Sequence, residues 1–254
     1  YLTGGIEVSV LDRFALTDKV ALITGAGKGI GAEIARVFAS AGADVVLAAR
    51  TESDLQAVAA EVAAVGRRAL IVVTDVLEFD QLQALADRAI AEFGRIDIVV
   101  NNAGGAPPKP VSHSSAKEFE AAFRFNVSTA FELSRICAPL MVEGGGVGAI
   151  LNISSVAGQY PAPCFASYGT AKAGLSFLTK ELAQEYAPKI RVNAIAVGST
   201  KTDALNSILN EEIEQMMVDL TPMARLGEVE DIAMGALYLC SPAASYVTGD
   251  VLGV

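Results

Sequence analysis

Two stretches of the sequence combine residue types and spacings that could do chemistry. Near the start, Thr24-Gly25-Ala26-Gly27-Lys28-Gly29-Ile30-Gly31 closes a short apolar run and opens a helical one. Glycines allow positive φ and let backbone approach a pyrophosphate, and a helix N-terminus supplies the matching positive field. Much later come Tyr168 and Lys172, four positions apart in a helical window and so on one face. A free phenol ionises near ~10 and is a poor base at neutral pH; a neighbouring cation favours phenolate and draws that value down. One stretch is a cradle for phosphate, the other a proton-transfer pair. A nucleotide-triphosphate P-loop is excluded, because no G-x-x-x-x-G-K-[ST] is present.

The residues around the cradle bear on which dinucleotide it takes. The second apolar run ends Val46-Leu47-Ala48-Ala49-Arg50. An acidic residue here would accept hydrogen bonds from the ribose 2′-OH of NAD, and Ala49 cannot. Arg50 places a guanidinium where a 2′-phosphate could be clamped, and Lys28 adds a second cation nearby. NADP is therefore favoured over NAD.

These groups must be positioned by regular elements, and the chain alternates two kinds. Val20–Thr24, Asp44–Ala49, Ala69–Thr74, Ile96–Asn101, Ala149–Ser154 and Ile190–Ala196 are short, apolar on consecutive positions and mostly β-branched, which predicts strands buried on both faces. Helical windows lie between them at Gly31–Ala41, Leu55–Val65, Gln81–Phe93, Ala116–Met141 and Ser167–Tyr186. This βα alternation predicts an α/β fold: one doubly wound parallel sheet with helices on both faces. Residues 1–13 are expected to be a flexible leader and 14–254 a single dinucleotide-binding catalytic domain. Residues 198–227, which interrupt the rhythm after the sixth strand, are expected to be a substrate lid.

The 254 residues carry 19 basic and 29 acidic side chains, a net charge of −10. Such a surface repels phosphate backbones and anionic lipid, which argues against nucleic acid and membrane partners. No apolar run reaches the ~18 residues of a bilayer span. Cys137, Cys164 and Cys240 form no CxxC pair, which fits a reduced, cytoplasmic compartment and packing roles. With one histidine, His113, the chain offers no zinc ligand cluster, and no G-x-S-x-G elbow supports a Ser-His-Asp hydrolase.

Taken in order, Thr24-Gly25-(x)3-Gly29-x-Gly31, Asn101-Asn102-Ala103-Gly104, Asn126, Ser155 and Tyr168-(x)3-Lys172 resemble the motifs of the short-chain dehydrogenase/reductase family, from about Leu16 to Val254. Lys28–Gly31 and Ala49–Thr51 resemble its NADP-dependent carbonyl reductases; Gly104–Pro110 and Gly144–Ser155 are more similar to bacterial 7α-hydroxysteroid dehydrogenases. The resemblance implies a Rossmann-type domain and an oxidoreductase interconverting a secondary alcohol and a ketone. It gives Tyr168 the proton, Lys172 the nicotinamide ribose and the lowering of the Tyr168 pKa, Ser155 the polarised carbonyl and Asn126 a relaying water. It places Asp75 and Val76 at the adenine and Asn102, Ala103 and Gly104 along the cofactor. Gly198, Thr200 and Thr202 fall beside the nicotinamide, although Val197 stands where the family usually has proline.

The implied substrate is a small hydrophobic carbonyl or alcohol compound, and the apolar faces of Ala116–Met141 and Ser167–Tyr186 imply a homotetramer. A 3-oxoacyl-carrier-protein reductase and a non-catalytic NADP-binding sensor are the rival readings; the presence of Asn126, Ser155, Tyr168 and Lys172 together argues against the sensor. Arg50→Asp is expected to weaken NADPH binding far more than NADH binding in a fluorescence titration. Equal losses for both would mean that Arg50 does not read the 2′-phosphate.

Overall fold

Apolar side chains on consecutive positions need cover on both sides, and the strands obtain it from helices above and below. In a computed structural model, which describes residues 9–202, 205 and 210–254, the strands are β1 Val20–Thr24, β2 Asp44–Ala49, β3 Ala69–Val73, β4 Ile98–Asn101, β5 Gly148–Ser155, β6 Ile190–Val197 and β7 Val251–Gly253. The described helices are α1 Gly29–Ser40, α2 Glu52–Ala64, α3 Phe79–Phe93, α4 Ala116–Phe123, α5 Thr129–Gly145, α6 Ala166–Tyr186, α7 Glu211–Asp219 and α8 Val229–Cys240. The sheet has seven strands in the order β3-β2-β1-β4-β5-β6-β7, and every neighbouring pair is parallel.

The two faces of β1 show how the layers are built. Ala21 and Ile23 pack with Ile34 and Phe38 of α1, Leu55 of α2 and Ile232 of α8. Val20 and Leu22 pack with Leu82 and Leu85 of α3, Leu133 and Ile136 of α5 and Leu182 of α6. Each such large side chain contributes about 1.5–3 kcal/mol by leaving water. Strand order reverses between β1 and β4, so the helices that follow them depart to opposite faces and leave a crevice at their carboxyl ends.

The fold departs from the sequence expectation in three places. The helix expected over Ala116–Met141 is broken by a π-helical turn at Arg124–Ser128, because the Asn126 side chain takes the Ala122 carbonyl at 2.8 Å. β7 is not anticipated: its three residues, Val251–Gly253, are too few for a periodicity. Nor was α8, whose apolar residues run too far round the helix to give a clear stripe. Of the leader expected over 1–13, residues 1–8 lie outside the described residues. Val10–Phe14 form a 3-10 turn capped by Ser9 and Asp12, with the Phe14 ring 6.4 Å from that of Tyr238.

At the opposite end of the sheet from the crevice, Asp97 ties the starts of β1 and β4 together. It is 3% exposed and accepts from the Val20 N–H at 3.0 Å, Lys19 Nζ at 3.2 Å, and Arg95 Nε and Nη2 at 2.8 and 2.6 Å. Removing a buried carboxylate leaves those donors unmatched. Asp97→Ala is expected to cost about 3 kcal/mol in urea unfolding while leaving dinucleotide affinity unchanged.

Candidate active site

The crevice is built first from backbone. Gly25 turns the chain at φ +65°, and a Cβ there would lie 2.7 Å from the Asn102 amide. At Gly31 a side chain would collide with the Gly25 carbonyl and the same amide. Two side chains from facing strand ends lock this turn. Thr24 Oγ1 donates to the Val100 carbonyl at 3.3 Å and accepts from the Asn102 and Ala103 N–H groups at 3.0 and 3.1 Å. Asn102 Nδ2 donates to the carbonyls of Thr24 and Gly25 at 2.9 and 3.2 Å. α1 starts at once, with no side-chain cap and no acidic residue in its first turn. Its first N–H groups are therefore free to bind an anion.

A cavity of about 370 Å³ opens above this turn. Of the residues expected along a dinucleotide, Gly25, Gly27, Lys28, Arg50, Asp75, Val76, Asn102, Ala103 and Gly104 line it, together with Thr51, Asp54, Thr74, Leu77 and Phe125. Gly29, Ile30 and Gly31 sit beneath it as the first turn of α1. Asp75 Oδ1 accepts from the Leu77 N–H at 3.0 Å, which orients the carboxylate. The donor-rich helix end and the cradle that side chains would fill match a dinucleotide in shape and charge.

Gly198, Thr200 and Thr202 lie outside that lining, across the carboxyl end of β6. A parallel bridge joins Thr200 to Gly227, with Lys201 N–H donating to the Gly227 carbonyl at 2.8 Å. The segment between them therefore leaves and returns at one point. Thr202 lies 3.9 Å from where a Gly29 side chain would stand. Of the lid expected over 198–227, residues 203–204 and 206–209 lie outside the described residues.

The groups expected to handle the proton converge on the far side of Gly104. Lys172, 4% exposed, donates from Nζ to the Ile153 carbonyl at 2.7 Å, and burial brings its pKa down to about 8. A Cβ on Gly104 would stand 3.2 Å from Lys172 Nζ and 2.7 Å from Asn126 Oδ1. Asn126 Nδ2 donates to Gly105 O and Ala122 O at 3.0 and 2.8 Å, and Oδ1 accepts from Gly105 N–H at 2.9 Å. Its amide is thus anchored to the loop after β4. Ser155 ends β5; its Oγ donates to the Val197 carbonyl at 3.5 Å and accepts from the Ala157 N–H at 3.2 Å. Neighbouring Ser154 faces elsewhere, donating to the Lys172 carbonyl at 3.0 Å.

The Tyr168 phenol is half-buried. Its pKa lies above the ordinary value: burial raises it, and the Ser155 hydroxyl offsets only part. Lys172 Nζ is turned to the Ile153 carbonyl and stands 5.7 Å from the Tyr168 ring centre. The cysteines divide. Cys137 and Cys240 are buried, with thiols pushed up to about 12, whereas Cys164 is exposed at φ +69° and not packed in the core.

A family model described as enoyl-(acyl carrier protein) reductase matches residues 25–254. The chain is 49% identical over 246 residues to an uncharacterized oxidoreductase of Mycobacterium tuberculosis, covering 96% of this chain and 94% of that one. It is 46% identical over 244 residues to the 7alpha-hydroxysteroid dehydrogenase of Escherichia coli, covering 96% and 95%. A solved 7α-hydroxysteroid dehydrogenase complexed with NADH and 7-oxo glycochenodeoxycholic acid superposes with a TM-score of 0.94 at 44% identity, over 97% of this chain and 96% of that one. This chain belongs to the short-chain dehydrogenase/reductase family. As a member it is an NAD(P)-dependent oxidoreductase acting on CH–OH groups, on a single-domain Rossmann-type fold.

Thr24 and Asp54 are among the site residues of this short-chain dehydrogenase that motif spacing does not single out. For Thr24, a hydroxyl at the last position of a strand before a tight turn is the available signal. Asp54 lies beyond the strand end, in the first turn of α2. Its place four residues after Arg50 is a signal visible only once the start of α2 is known.

The buried amine gives this enzyme a pH signature. The Lys172 pKa is lower folded than unfolded, so between about pH 8 and 10.4 the unfolded chain binds more protons and stability rises with pH. Below that window the protonated amine carries a folding penalty of about 3 kcal/mol. Lys172→Met is therefore expected to melt above the parent at pH 7, with the gap shrinking as pH climbs from 8 to 10. Parallel melting curves across pH test this, and a gap independent of pH would contradict it.

Proposed function

We propose that the enzyme is an NADP(H)-dependent reductase and dehydrogenase that interconverts a hydrophobic ketone and its secondary alcohol. The observation that carries this reading is the meeting at Gly104: the dinucleotide cavity lies on one side, Lys172 and Asn126 on the other. Bound NADP(H) supplies the hydride donor or acceptor. In reduction, Ser155 donates a hydrogen bond to the substrate oxygen, which polarises the carbonyl, and the Tyr168 phenol protonates that oxygen. In oxidation the phenolate takes the hydroxyl proton. A phenol held high by burial is poised as the acid; the positive charge of the oxidised ring is what favours the phenolate. Lys172 holds the ribose, and Asn126 keeps a relaying water beside it.

Arg50 supports NADP. It is exposed at the cavity edge, makes no ion pair among the described residues, and follows Ala49 where an NAD site would place an acid. NAD(H) is the second reading: the solved relative carries NADH, and Lys28 is already paired to Asp54 at 3.3 Å. The substrate reading, hydroxysteroid- or carbonyl-reductase-like, draws on the amphipathic helix α7 of the expected lid, where Met216, Leu220 and Met223 stand exposed on it or just beyond it. Phe119, Phe123, Phe131 and Phe177 are exposed on α4, α5 and α6, which supports assembly through these helices into a homotetramer.

Tyr168→Phe is expected to lower turnover of steroid and simple ketones by at least about a hundredfold while NADPH affinity stays within twofold. Retained turnover in this variant would remove Tyr168 from the chemistry.

A further inference from the structure

The cavity that receives the adenosine end contains a cation already taken. Lys28 Nζ lies 3.3 Å from Asp54 Oδ2, and both residues line the cavity beside Ala49, Arg50 and Thr51. The pair is lopsided: the Lys28 side chain is 65% exposed, the Asp54 side chain 25%. Asp54 is the fixed member, seated in the first turn of α2 with its Cβ 3.0 Å from where a Gly27 side chain would stand. Lys28 is the free end of a flexible stem and can exchange partners.

We propose that Asp54 is a specificity-determining residue: it occupies Lys28 in the free enzyme, and a 2′-phosphate must displace it to reach that cation. This rests on the NADP(H) reading above. Binding NADP then breaks one ion pair and sets the incoming phosphate near a carboxylate. Binding NAD leaves the pair intact. Asp54 therefore narrows the advantage that Arg50 and Lys28 give to NADP, and the same chain retains use of both dinucleotides. Charge competition of this kind weakens with ionic strength, because all three groups are partly in water.

The test is calorimetric and needs no turnover. 2′,5′-ADP and 5′-AMP, then NADPH and NADH, are titrated into the full-length protein, the Asp54→Asn, Lys28→Ala and double variants, in low and high salt. Asn keeps the shape of the side chain and removes its charge, and a melting curve for each variant shows that it is folded. Asp54→Asn is expected to tighten 2′,5′-ADP and NADPH by about three- to tenfold, with 5′-AMP and NADH within twofold. The gain should shrink in high salt and on the Lys28→Ala background, which removes the ion-pair part of it. A parent protein that binds 2′,5′-ADP no better than 5′-AMP would overturn the NADP reading itself. Preference for 2′,5′-ADP in the parent, with no gain or with a loss in Asp54→Asn, would overturn the role of Asp54 alone.

Discussion

The site depends on a clasp between two strand ends. Where β1 and β4 separate at the reversal of strand order, their last backbone groups lose the ladder partners that regular sheet would supply. Thr24 and Asn102 replace them: a hydroxyl that bonds Val100, Asn102 and Ala103, and an amide that bonds Thr24 and Gly25. The glycine turn can then pass so close to β4 that only hydrogen fits at Gly25 and Gly31. The dinucleotide cavity is the space left by this crossing, and the first turn of α1 is aimed into it by the same bonds.

The two halves of the site use opposite physics. The dinucleotide half is made of backbone donors and exposed cations, inexpensive to keep in water and insensitive to small side-chain changes. The half proposed to transfer the proton is made by burial. Lys172 is held with one carbonyl for company, and both it and Tyr168 are displaced from their ordinary pKa values by loss of solvent. Such groups destabilise the fold that holds them, and the large apolar layers on either side of the sheet supply the surplus.

The layered fold was legible because buried parallel strands read as unbroken apolar runs: Val20–Thr24 and Asp44–Ala49 have the bounds their sequence implies. The glycine turn, Tyr168 and Lys172 were legible because their chemistry needs fixed spacing. What could not be read depends on neighbours distant in sequence. The pairing of Lys28 with Asp54 needs the turn and α2 brought side by side. The raised Tyr168 pKa depends on how deeply the phenol is enclosed and on where Lys172 Nζ turns, neither of which follows from a four-residue spacing.

The π-turn at Arg124–Ser128 has a consequence for register. Each added residue rotates whatever follows in a helix by about 100°. Its inserted residue lets α4 and α5 share one continuous rod while presenting faces about a quarter-turn out of phase. α4 can thus lie along α6 while α5 drives Leu133, Ile136 and Met141 into the sheet. Asn126 pins the offset by holding the Ala122 carbonyl that an unbroken helix would have used. Deleting any single residue in this turn would re-phase all of α5 and swing its apolar stripe off the core. Apart from Asn126, this short piece of chain is therefore constrained more by its length than by the identity of its residues.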